Sequence, residues 1–385
     1  MARLGDVCDI LNGFAFKSEQ YVDGGIRIIR IANVQKGYIE DSTPVFYPID
    51  SKEANKYSLE EDDMLMSLTG NVGRVAKLSK EFLPAALNQR VACLRIKDGV
   101  AIDKAFLFNL LNSDYFEQQC IAASKGVAQK NMSTEWLKEY EIPMFSMERQ
   151  KAIASVLDRV AELITLRKEQ LAALDQLVKS RFIELFGTYP SNPMGWECGT
   201  IRDVVADVRY GSSRPAVDDG KYPYLRMNNI TYGGELDLTD TKRIDVPENE
   251  LDKCTVRRGD VLFNRTNSKE LVGKTCVYNR DEMMVLAGFV IRVRVTERVL
   301  PEFLSAFLNT DFSKQMLLGM CKAAIGQANI NAQEMQNIRL YLPPVELQRQ
   351  FVQFKEQTDK SKLVIQQSLD KLQTLKKALM QKYFG

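Results

Sequence analysis

The sequence contains no histidine, the side chain that proteins use most often as a general base and as a metal ligand near neutral pH. Ser-His and Cys-His catalysis and histidine-ligated metals are therefore excluded. No apolar run approaches the roughly 20 residues of a membrane-spanning helix, and the start of the chain does not have the pattern of a signal peptide. We expect a cytoplasmic protein that does not contact a membrane.

Cysteine is also sparse. The seven cysteines stand far apart and form no C-x-x-C pair, so neither a zinc site nor a disulfide framework is predicted. We expect free thiols.

Known catalytic motifs are absent as well. We find no G-x-G-x-x-G, no Walker loop, no H-E-x-x-H and no Asn-Pro-Pro-aromatic tetrad of the kind used for amino methylation. The acidic pairs Asp62-Asp63 and Asp218-Asp219 stand in turn contexts, where we interpret them as solvated surface. Net charge is only +2, which excludes a globally basic nucleic-acid binder but leaves local basic faces open. The sequence therefore predicts a binding protein with no catalytic residue, metal or cofactor of its own.

An internal repeat organises the chain. SRFIELFG ends at Gly187 and ALMQKYFG ends at Gly385, so the two segments lie 198 residues apart. The pairs LGDV and IRDV, RIANV and RMNNI, and EDDMLMS and RRGDVLFN keep that spacing within a few positions. The pattern Q-x-N is also repeated, at Gln129 and Gln327. An ordered series of matches along both halves indicates a duplicated unit.

Each half changes character once. Short β-rich runs such as IRIIRI and FVIRVRV alternate with turn residues and short helical stretches, which predicts an α/β globule. The last quarter of each half has no Gly or Pro until its end and predicts one long helix, over 148–186 and 346–384. We therefore predict an α+β fold in four segments. They are a globule over 1–147, a helix over 148–187, a second globule over 188–345 and a second helix over 346–385.

Apolar residues recur every seven positions in both predicted helices, which favours a coiled-coil seam. Since one chain carries two equal helices, we prefer an antiparallel pair about 58 Å long, with the globules at opposite ends. The alternative is that each helix lies on its own globule. The predicted seam residues are Ile153, Leu157, Val160, Ile164, Leu171, Leu174, Val178, Phe351, Phe354, Ile365, Leu372 and Leu379, with Leu375 as a further partner. The seam is interrupted at Arg167, Arg181, Thr358, Ser361 and Ser368.

Two similar but unequal globules are suited to reading two stretches of one long ligand, and duplex DNA is the expected one. Arg reads guanine and Asn or Gln reads adenine in the major groove, while Lys, Ser and Thr hold phosphates. In the first globule the candidates are Arg30, Asn33, Ser67, Thr69, Asn71, Arg74, Gln89, Arg90, Lys125, Gln129 and Lys130. In the second they are Ser212, Ser213, Arg214, Arg226, Asn228, Asn229, Asn264, Arg265, Asn267, Lys269, Lys274, Gln327 and Asn329.

Alternatives remain open for these residues. Polar, Gly-rich stretches are often ordinary surface loops. Arg30 with Asn33, and Arg226 with Asn229, could cap or brace strands instead. At the level of the whole chain, the globules could bind protein rather than DNA, which would make the chain an interaction scaffold. A nuclease or methylase acting alone would need the motifs that are absent.

The ordered set of segments resembles the specificity subunit of Type I DNA restriction-modification systems over nearly the whole chain. The similarity lies in LGDVCDILNGFAFKS, RIANV, RMNNI, GVAQKNMS, IPMFSMERQKAIASVLD and LPPVELQRQFVQF. Its strongest marks are the repeated Q-x-N and the P-x-x-x-x-E-x-Q entry into the first helix, at Pro143 to Gln150. The second entry, Pro343 to Gln348, is shorter, and GQANINA lacks the lysine of QKNMS.

The resemblance implies a division of labour. Each globule would be a target recognition domain for one half of a bipartite, asymmetric DNA sequence. The paired helices would set the unread spacer and dock two modification subunits. Those partners would use S-adenosylmethionine to methylate adenine, and added restriction subunits would cut DNA with ATP and Mg. Because LNGFAFKS and RYGSSRPA differ, we expect the two half-sites to differ in sequence.

Overall fold

A computed structural model of the chain describes residues 1–124, 126, 130–321 and 328–385. Contacts between residues divide the chain into two compact units: unit 1 comprises residues 1–169 and 366–385, and unit 2 comprises residues 170–365. Each unit therefore contains part of both long helices. Within the described ranges, no helix combines the length and apolarity needed to cross a bilayer.

Unit 1 combines short strands with helices. The strands are β1 (Ala2–Arg3), β2 (Cys8–Asn12), β3 (Ile26–Ile29), β4 (Phe46–Tyr47), β5 (Met64–Ser67), β6 (Val75–Lys77), β7 (Ala85–Leu87), β8 (Val91–Ile96) and β9 (Glu141–Ile142). The helices are α1 (Leu4–Val7), α2 (Lys52–Lys56), α3 (Lys104–Leu111), α4 (Asp114–Ala123), α5 (Thr134–Glu139) and the long α6 (Met147–Phe186).

Two sheets of unit 1 have three or more strands, and β5, an interior strand of the larger one, contributes side chains to two cores. An antiparallel sheet has the order β2-β8-β5-β6, and a second sheet has the order β4-β3-β7. Successive side chains of β5 point to opposite faces. Met64 and Met66 enter the core formed with α3 and α4, whereas Leu65 enters a separate core with Ile29 and Leu87. Burial of both faces explains why the first three residues of this strand, Met64 to Met66, are all apolar.

Unit 2 repeats this set of elements. Its strands are β10 (Glu197–Thr200), β11 (Val205–Tyr210), β12 (Tyr222–Leu225), β13 (Lys242–Ile244), β14 (Thr255–Val256), β15 (Val261–Asn264), β16 (Thr266–Asn267), β17 (Thr275–Val277), β18 (Met284–Leu286), β19 (Val290–Val295), β20 (Ala328–Asn329) and β21 (Arg339–Leu342). Its helices are α7 (Glu248–Cys254), α8 (Pro301–Leu308), α9 (Asp311–Met320), α10 (Ala332–Gln336) and the long α11 (Val345–Phe384).

The main sheet of unit 2 has the order β11-β19-β15-β17, in which each strand corresponds to one of β2-β8-β5-β6. The central strand again serves two cores, since Val261 and Phe263 enter one cluster and Leu262 enters another. The internal repeat predicted from the sequence is therefore a repeat of topology, and the α+β fold class is confirmed.

A buried ion pair occupies the same place in both sheets. Arg95 donates to both carboxylate oxygens of Asp63, at 2.8 and 2.6 Å, and Arg294 donates to Asp260 at 2.8 and 3.3 Å. Asp63 is only 3% exposed, so its interpretation as solvated surface is wrong. Asp63 also accepts the backbone N–H of Glu60 at 2.8 Å. Its oxygens are thus fully engaged inside the domain, as a buried carboxylate requires.

A buried glutamine attaches the start of each long helix to its globule. Gln150 donates to the carbonyls of Ala101 and Phe145 and accepts the backbone N–H of Asp103 at 2.8 Å. Gln348 makes the same three bonds, to Arg298, Pro343 and Leu300. Both glutamines are 0% exposed. The repeated helix entry in the sequence is therefore the glutamine that joins helix to globule.

The two long helices pair antiparallel, as predicted. In unit 1 the first part of α6 meets the last part of α11, where Arg167 Nε donates to Ser368 Oγ at 3.3 Å. In unit 2 the last part of α6 meets the first part of α11, where the rings of Phe182 and Phe351 lie 5.3 Å apart. The alternative of a helix on its own globule holds for the first turns only, since Ile153 and Leu157 are buried in the unit 1 core.

The seam of α11 differs in part from the prediction. Phe351 is fully buried and Ile365, Leu372 and Leu379 are half-buried, but Leu375 is 46% exposed. Other positions in the contact between the helices carry polar residues. Thr358 is buried, and Lys355, Lys362 and Lys376 are half-buried. Lysine can occupy such positions because its alkyl chain packs while its ammonium reaches a partner. On α6 the predicted seam residues are buried or half-buried.

Lys362 links both helices to the globule of unit 2. Its ammonium lies 2.5 Å from Asp175 on α6 and 2.9 Å from Glu235 in the globule, and its side chain is 17% exposed. Burial lowers the pKa of Lys362, but the hydrogen bonds to Asp175 and Glu235 outweigh burial and leave the pKa above its ordinary value.

Replacing Lys362 with Met should lower the unfolding free energy by about 1 kcal/mol, because both acidic partners remain solvated. A raised lysine pKa contributes stability below the unfolded value of about 10.4, and that stability is lost as pH rises through the folded pKa. The difference from the unmodified protein, measured by denaturant unfolding, should therefore shrink at strongly alkaline pH. Lys360→Met, an exposed position on the same helix, is the control. A difference independent of pH would contradict this assignment.

Candidate nucleic-acid interface

Three chain segments meet at corresponding places in the two units, and together they carry most of the predicted DNA-binding residues. The first segment is the loop between the central strand and its outer neighbour, over 68–74 in unit 1 and 265–274 in unit 2. Each loop is closed by the same two backbone bonds. Ser67 N–H donates to the carbonyl of Arg74 at 3.0 Å, and Asn264 N–H donates to that of Lys274 at 2.9 Å. Gly73 and Gly273 donate back to Ser67 and Asn264.

The second segment is a four-residue turn that precedes β8 or β19. In unit 1 it runs over 88–91, and in unit 2 over 287–290. The turn touches the loop in both units, because Leu68 N–H donates to Arg90 at 3.0 Å and Arg265 N–H donates to Phe289 at 3.0 Å.

The third segment contains the repeated Q-x-N motif. Gly70 N–H donates to Lys130 at 2.9 Å and Met132 N–H donates to Leu68 at 2.9 Å. In unit 2, β16 pairs with β20, and Ile330 N–H donates to Arg265 at 2.9 Å. The asparagines of the motif, Asn131 and Asn329, therefore pair with the loop at the same edge in both units. Lys125, Gln129 and Gln327, predicted to bind DNA, lie outside the described residues.

Many of the predicted residues present their side chains to solvent. Those that are exposed are Asn71, Gln89, Arg90, Lys130, Ser213, Arg214, Asn228, Lys269 and Asn329. Those that are half-buried are Arg30, Thr69, Arg74, Arg226, Arg265 and Asn267. Contact of these fifteen residues with DNA stays a prediction.

Six predicted residues are instead internal. They are Asn33, Ser67, Ser212, Asn229, Asn264 and Lys274, each at most 8% exposed. Asn33 caps the turn that begins at Arg30 and donates to the carbonyl of Glu40 at 2.7 Å, and Asn229 does the same with Arg226 and Asp237. The bracing alternative is therefore correct for these two asparagines. The six side chains serve the fold, and we no longer assign them to a DNA surface.

Lys274 illustrates why such a residue makes a poor phosphate contact. Its ammonium donates to the carbonyl of Met227 at 2.9 Å inside unit 2, and burial lowers the pKa of Lys274. A lysine held in this way is turned away from the surface, whereas phosphate binding relies on solvent-facing ammonium groups. Its counterpart in unit 1 is Arg74, whose guanidinium is half-buried and donates to Gln35.

Two of the predicted arginines in unit 2 are already paired with acids. Arg214 donates to both oxygens of Glu250, at 3.2 and 2.8 Å, and Arg226 lies 2.8 Å from Asp240. Exposed pairs of this kind contribute about 1 kcal/mol or less, so a phosphate or guanine can replace the acid at small cost. The acids also hold the two guanidinium groups in defined positions.

Two aromatic residues at this edge were missed by the sequence analysis. Tyr210 is 44% exposed, accepts the backbone N–H of Ala332 at 2.9 Å, and lies 5.0 Å from the guanidinium of Arg265. Phe289 is 52% exposed. The sequence prediction considered only Arg, Lys, Asn, Gln, Ser and Thr, so it did not include these two residues. An aromatic residue in a turn-rich segment is the pattern that could have indicated them. In the part of the chain that the structure describes, no group of three or more Cys, Asp or Glu could hold a metal.

Comparison with known proteins identifies the family. The model of the Type I restriction modification DNA specificity domain matches residues 1–176 and 193–375. The specificity subunit of the type I restriction enzyme EcoKI of Escherichia coli K12 is 23% identical over 409 residues, which cover 100% of this chain and 88% of that relative.

Solved structures have the same fold. The S subunit of a Type I restriction-modification system from M. genitalium aligns over 100% of this chain and 95% of its own, with 16% identity and a TM-score of 0.58. A second solved chain, from a structure concerned with complex assembly and conformational transition of the type I R-M system, aligns over 100% of this chain and 96% of its own. Its identity is 19% and its TM-score is 0.61. Because the family model matches both halves of the chain, this chain belongs to the Type I restriction-modification DNA specificity family.

Proposed function

We propose that this chain is the sequence-specific DNA-recognition subunit of a Type I restriction-modification complex. The observation that carries the proposal is the repeated interface: loop, turn and Q-x-N segment recur on the same backbone frame with different side chains. Exposed Gln89 and Arg90 in unit 1 correspond to Gly288 and Phe289 in unit 2. Two equal frames that carry different groups read different bases. The target is accordingly bipartite and asymmetric.

The paired helices α6 and α11 serve as the spacer between the half-sites and as the docking site for two modification subunits. Each helix has 40 residues, which corresponds to about 60 Å. In unit 1 the hydrogen bond between Arg167 and Ser368 supports a fixed register between the helices. In unit 2 the ion pair of Lys362 with Asp175 and the contact of the Phe182 and Phe351 rings support it. A stiff element of fixed register is what a constant spacer requires.

The chain itself is non-catalytic in this proposal. The modification subunits bind S-adenosylmethionine and methylate adenine, and restriction subunits supply ATP- and Mg-dependent cleavage in the cytoplasm. The net charge of +2 agrees with shared DNA binding, since a chain with few excess cations gains little from counterion release alone. The partners would complete the positive surface around the duplex.

Footprinting of the complex of this chain with its modification subunits should show two protected patches on one duplex, with an unprotected spacer between them. The duplex is chosen by mapping methyladenine in cells with and without the gene. Arg90→Ala should weaken binding about tenfold through one patch only, because a base contact by Arg typically contributes 1–3 kcal/mol. At the base that Arg90 contacts, the variant complex should discriminate less between the natural base and its substitutes than the unmodified complex does.

Two outcomes count against the proposal. Absence of protection even with the modification subunits would favour a scaffold that holds two protein-binding modules. Methylation of DNA by the purified chain with S-adenosylmethionine and no partner would show that the chain is an enzyme. A matched control is Lys52→Ala, an exposed position on α2 outside both the repeated interface and the long helices, which should leave both patches unchanged.

A further inference from the structure

The two turns of the repeated interface superimpose residue by residue in their bonding. Val91 N–H donates to Asn88 at 3.0 Å, and Val290 N–H donates to Ala287 at 2.9 Å. At the second position of each turn, Gln89 N–H donates to Phe14 at 2.9 Å, and Gly288 N–H donates to Ser212 at 2.7 Å. The third position is therefore Arg90 in unit 1 and Phe289 in unit 2.

Phe289 is held at this position by rigid neighbours. Val290 and Ala287 beside it are buried, and its carbonyl accepts the N–H of Arg265. A Cβ at position 288 would lie 3.2 Å from the carbonyl oxygen of Ser212, so glycine allows the turn to sit close against that segment. The backbone is thus fixed by the protein, while the ring itself is 52% exposed.

An exposed ring in this place has few uses within the fold. Phe289 takes no part in the buried clusters of unit 2, although the adjacent Val290 does. Arg265, whose backbone N–H donates to Phe289, and Ser213, which lies beside Gly288, carry groups suited to DNA. A phenyl ring can neither donate nor accept a conventional hydrogen bond, so it gains from DNA only by covering an apolar group.

We propose that Phe289 is a specificity-determining residue that reads a thymine through its C5-methyl group in the major groove of one half-site. This inference rests on the proposed function. Among the base edges of the major groove, the thymine methyl is the apolar group, and Phe is one of the side chains that contact it. At the same turn position in unit 1, Arg90 carries the opposite chemistry and suits guanine or phosphate. The two units thus differ in what they select at one equivalent point.

The test uses the complex of this chain with its modification subunits and synthetic duplexes that contain the mapped target. Each thymine of both strands is replaced in turn by uracil, which differs only in lacking the methyl group. Binding of the unmodified complex should weaken about fourfold at one thymine of one half-site, the factor for one buried methyl-sized group. With Phe289→Ala, overall affinity should fall about tenfold, and the uracil penalty at that thymine should disappear.

Two further variants separate recognition from structure. Phe289→Leu keeps apolar bulk and should retain part of the uracil penalty. Arg90→Ala should weaken binding through the other half-site and leave the penalty intact. Since residue 289 is exposed, thermal unfolding of Phe289→Ala should match that of the unmodified protein.

Several results would overturn the inference. One is a uracil scan with no penalty at any thymine, and another is a uracil penalty that persists unchanged in Phe289→Ala. Increased permanganate reactivity at a base step, lost in Phe289→Ala without a uracil effect, would mean insertion between bases instead. In each case two protected patches would remain, so the proposed function would stand. Loss of those patches in the unmodified complex would instead refute the function.

Discussion

Removing seven residues from each long helix at matched positions should shorten the spacer of the DNA target by about three base pairs and leave both half-sites unchanged. Seven helical residues correspond to about 10 Å of helix, and successive base pairs rise by 3.4 Å. The segments to remove are 164–170 of α6 and 365–371 of α11. They lie opposite each other, as the bond between Arg167 and Ser368 indicates.

The seam survives this deletion because a whole heptad is lost from each helix, so the next seam residues, Leu171 and Leu372, take the vacated positions. Methyladenine mapping should show loss of modification at the natural target by a factor of at least about 100, since only one half-site can then be engaged. A new target with the same half-sites and a shorter spacer should appear.

The matched control keeps the length and changes only exposed charge within the same heptads, as in Glu169→Gln with Lys371→Gln. That protein should modify the natural target. Altered half-sites with an unchanged spacer in the shortened protein would show that the helices do not set the distance.

Asp207→Asn should lower the unfolding free energy by about 2 kcal/mol, because the substitution removes the anion that faces a buried arginine, while Asp207 itself is 26% exposed. The carboxylate of Asp207 accepts from Arg292 at 2.7 Å, and Arg292 is 2% exposed. The same guanidinium donates to the carbonyl of Thr255. An amide in place of the carboxylate leaves a buried cation without its anion.

The pH dependence has a definite sign. Burial raises the pKa of Asp207, but hydrogen bonds from Arg292 and Arg209 outweigh burial, and the pKa is lowered overall. The resulting stability is present above the unfolded value of about 3.9 and is lost as pH falls through the folded pKa. Denaturant unfolding at neutral and acidic pH should show the difference between Asp207→Asn and the unmodified protein shrinking in acid.

Unit 1 supplies the control. Asp9 occupies the register of Asp207, since Asp9 pairs with Arg95 as Asp207 pairs with Arg294 across the sheet. Asp9 is 58% exposed, and the place of Arg292 is taken by the buried Cys93. Asp9→Asn should change the unfolding free energy by less than about 0.5 kcal/mol. Equal effects of the two substitutions would refute the importance of the buried pair.

The repeat and the long helices could be predicted from the sequence because both are expressed in local periodicity. A stretch of 40 residues without an internal Gly or Pro, with apolar residues every seventh position, has few other structures open to it. In these cases short-range pattern and long-range packing require the same residues.

Other features depended on contacts that no local pattern reveals. Asn33 and Asn229 resemble exposed groups in a turn, yet the chain that folds over them, at Glu40 and Asp237, buries both. Lys362 lies outside the predicted seam, yet its side chain is only 17% exposed because Asp175 and Glu235 meet it there. Phe289 was not predicted because its side chain is apolar. Only its position in the exposed turn beside Arg265 makes it a candidate for reading a base.

Unit 1 is assembled from two stretches separated by the whole of unit 2. Residues of its second stretch, including Leu379, Met380 and Phe384, pack against the core formed by the first, and the rings of Phe384 and Phe106 lie 5.5 Å apart. During synthesis, a ribosome therefore completes the later globule first. The earlier globule waits for its last apolar contacts, so a premature stop near residue 365 damages the domain translated long before it.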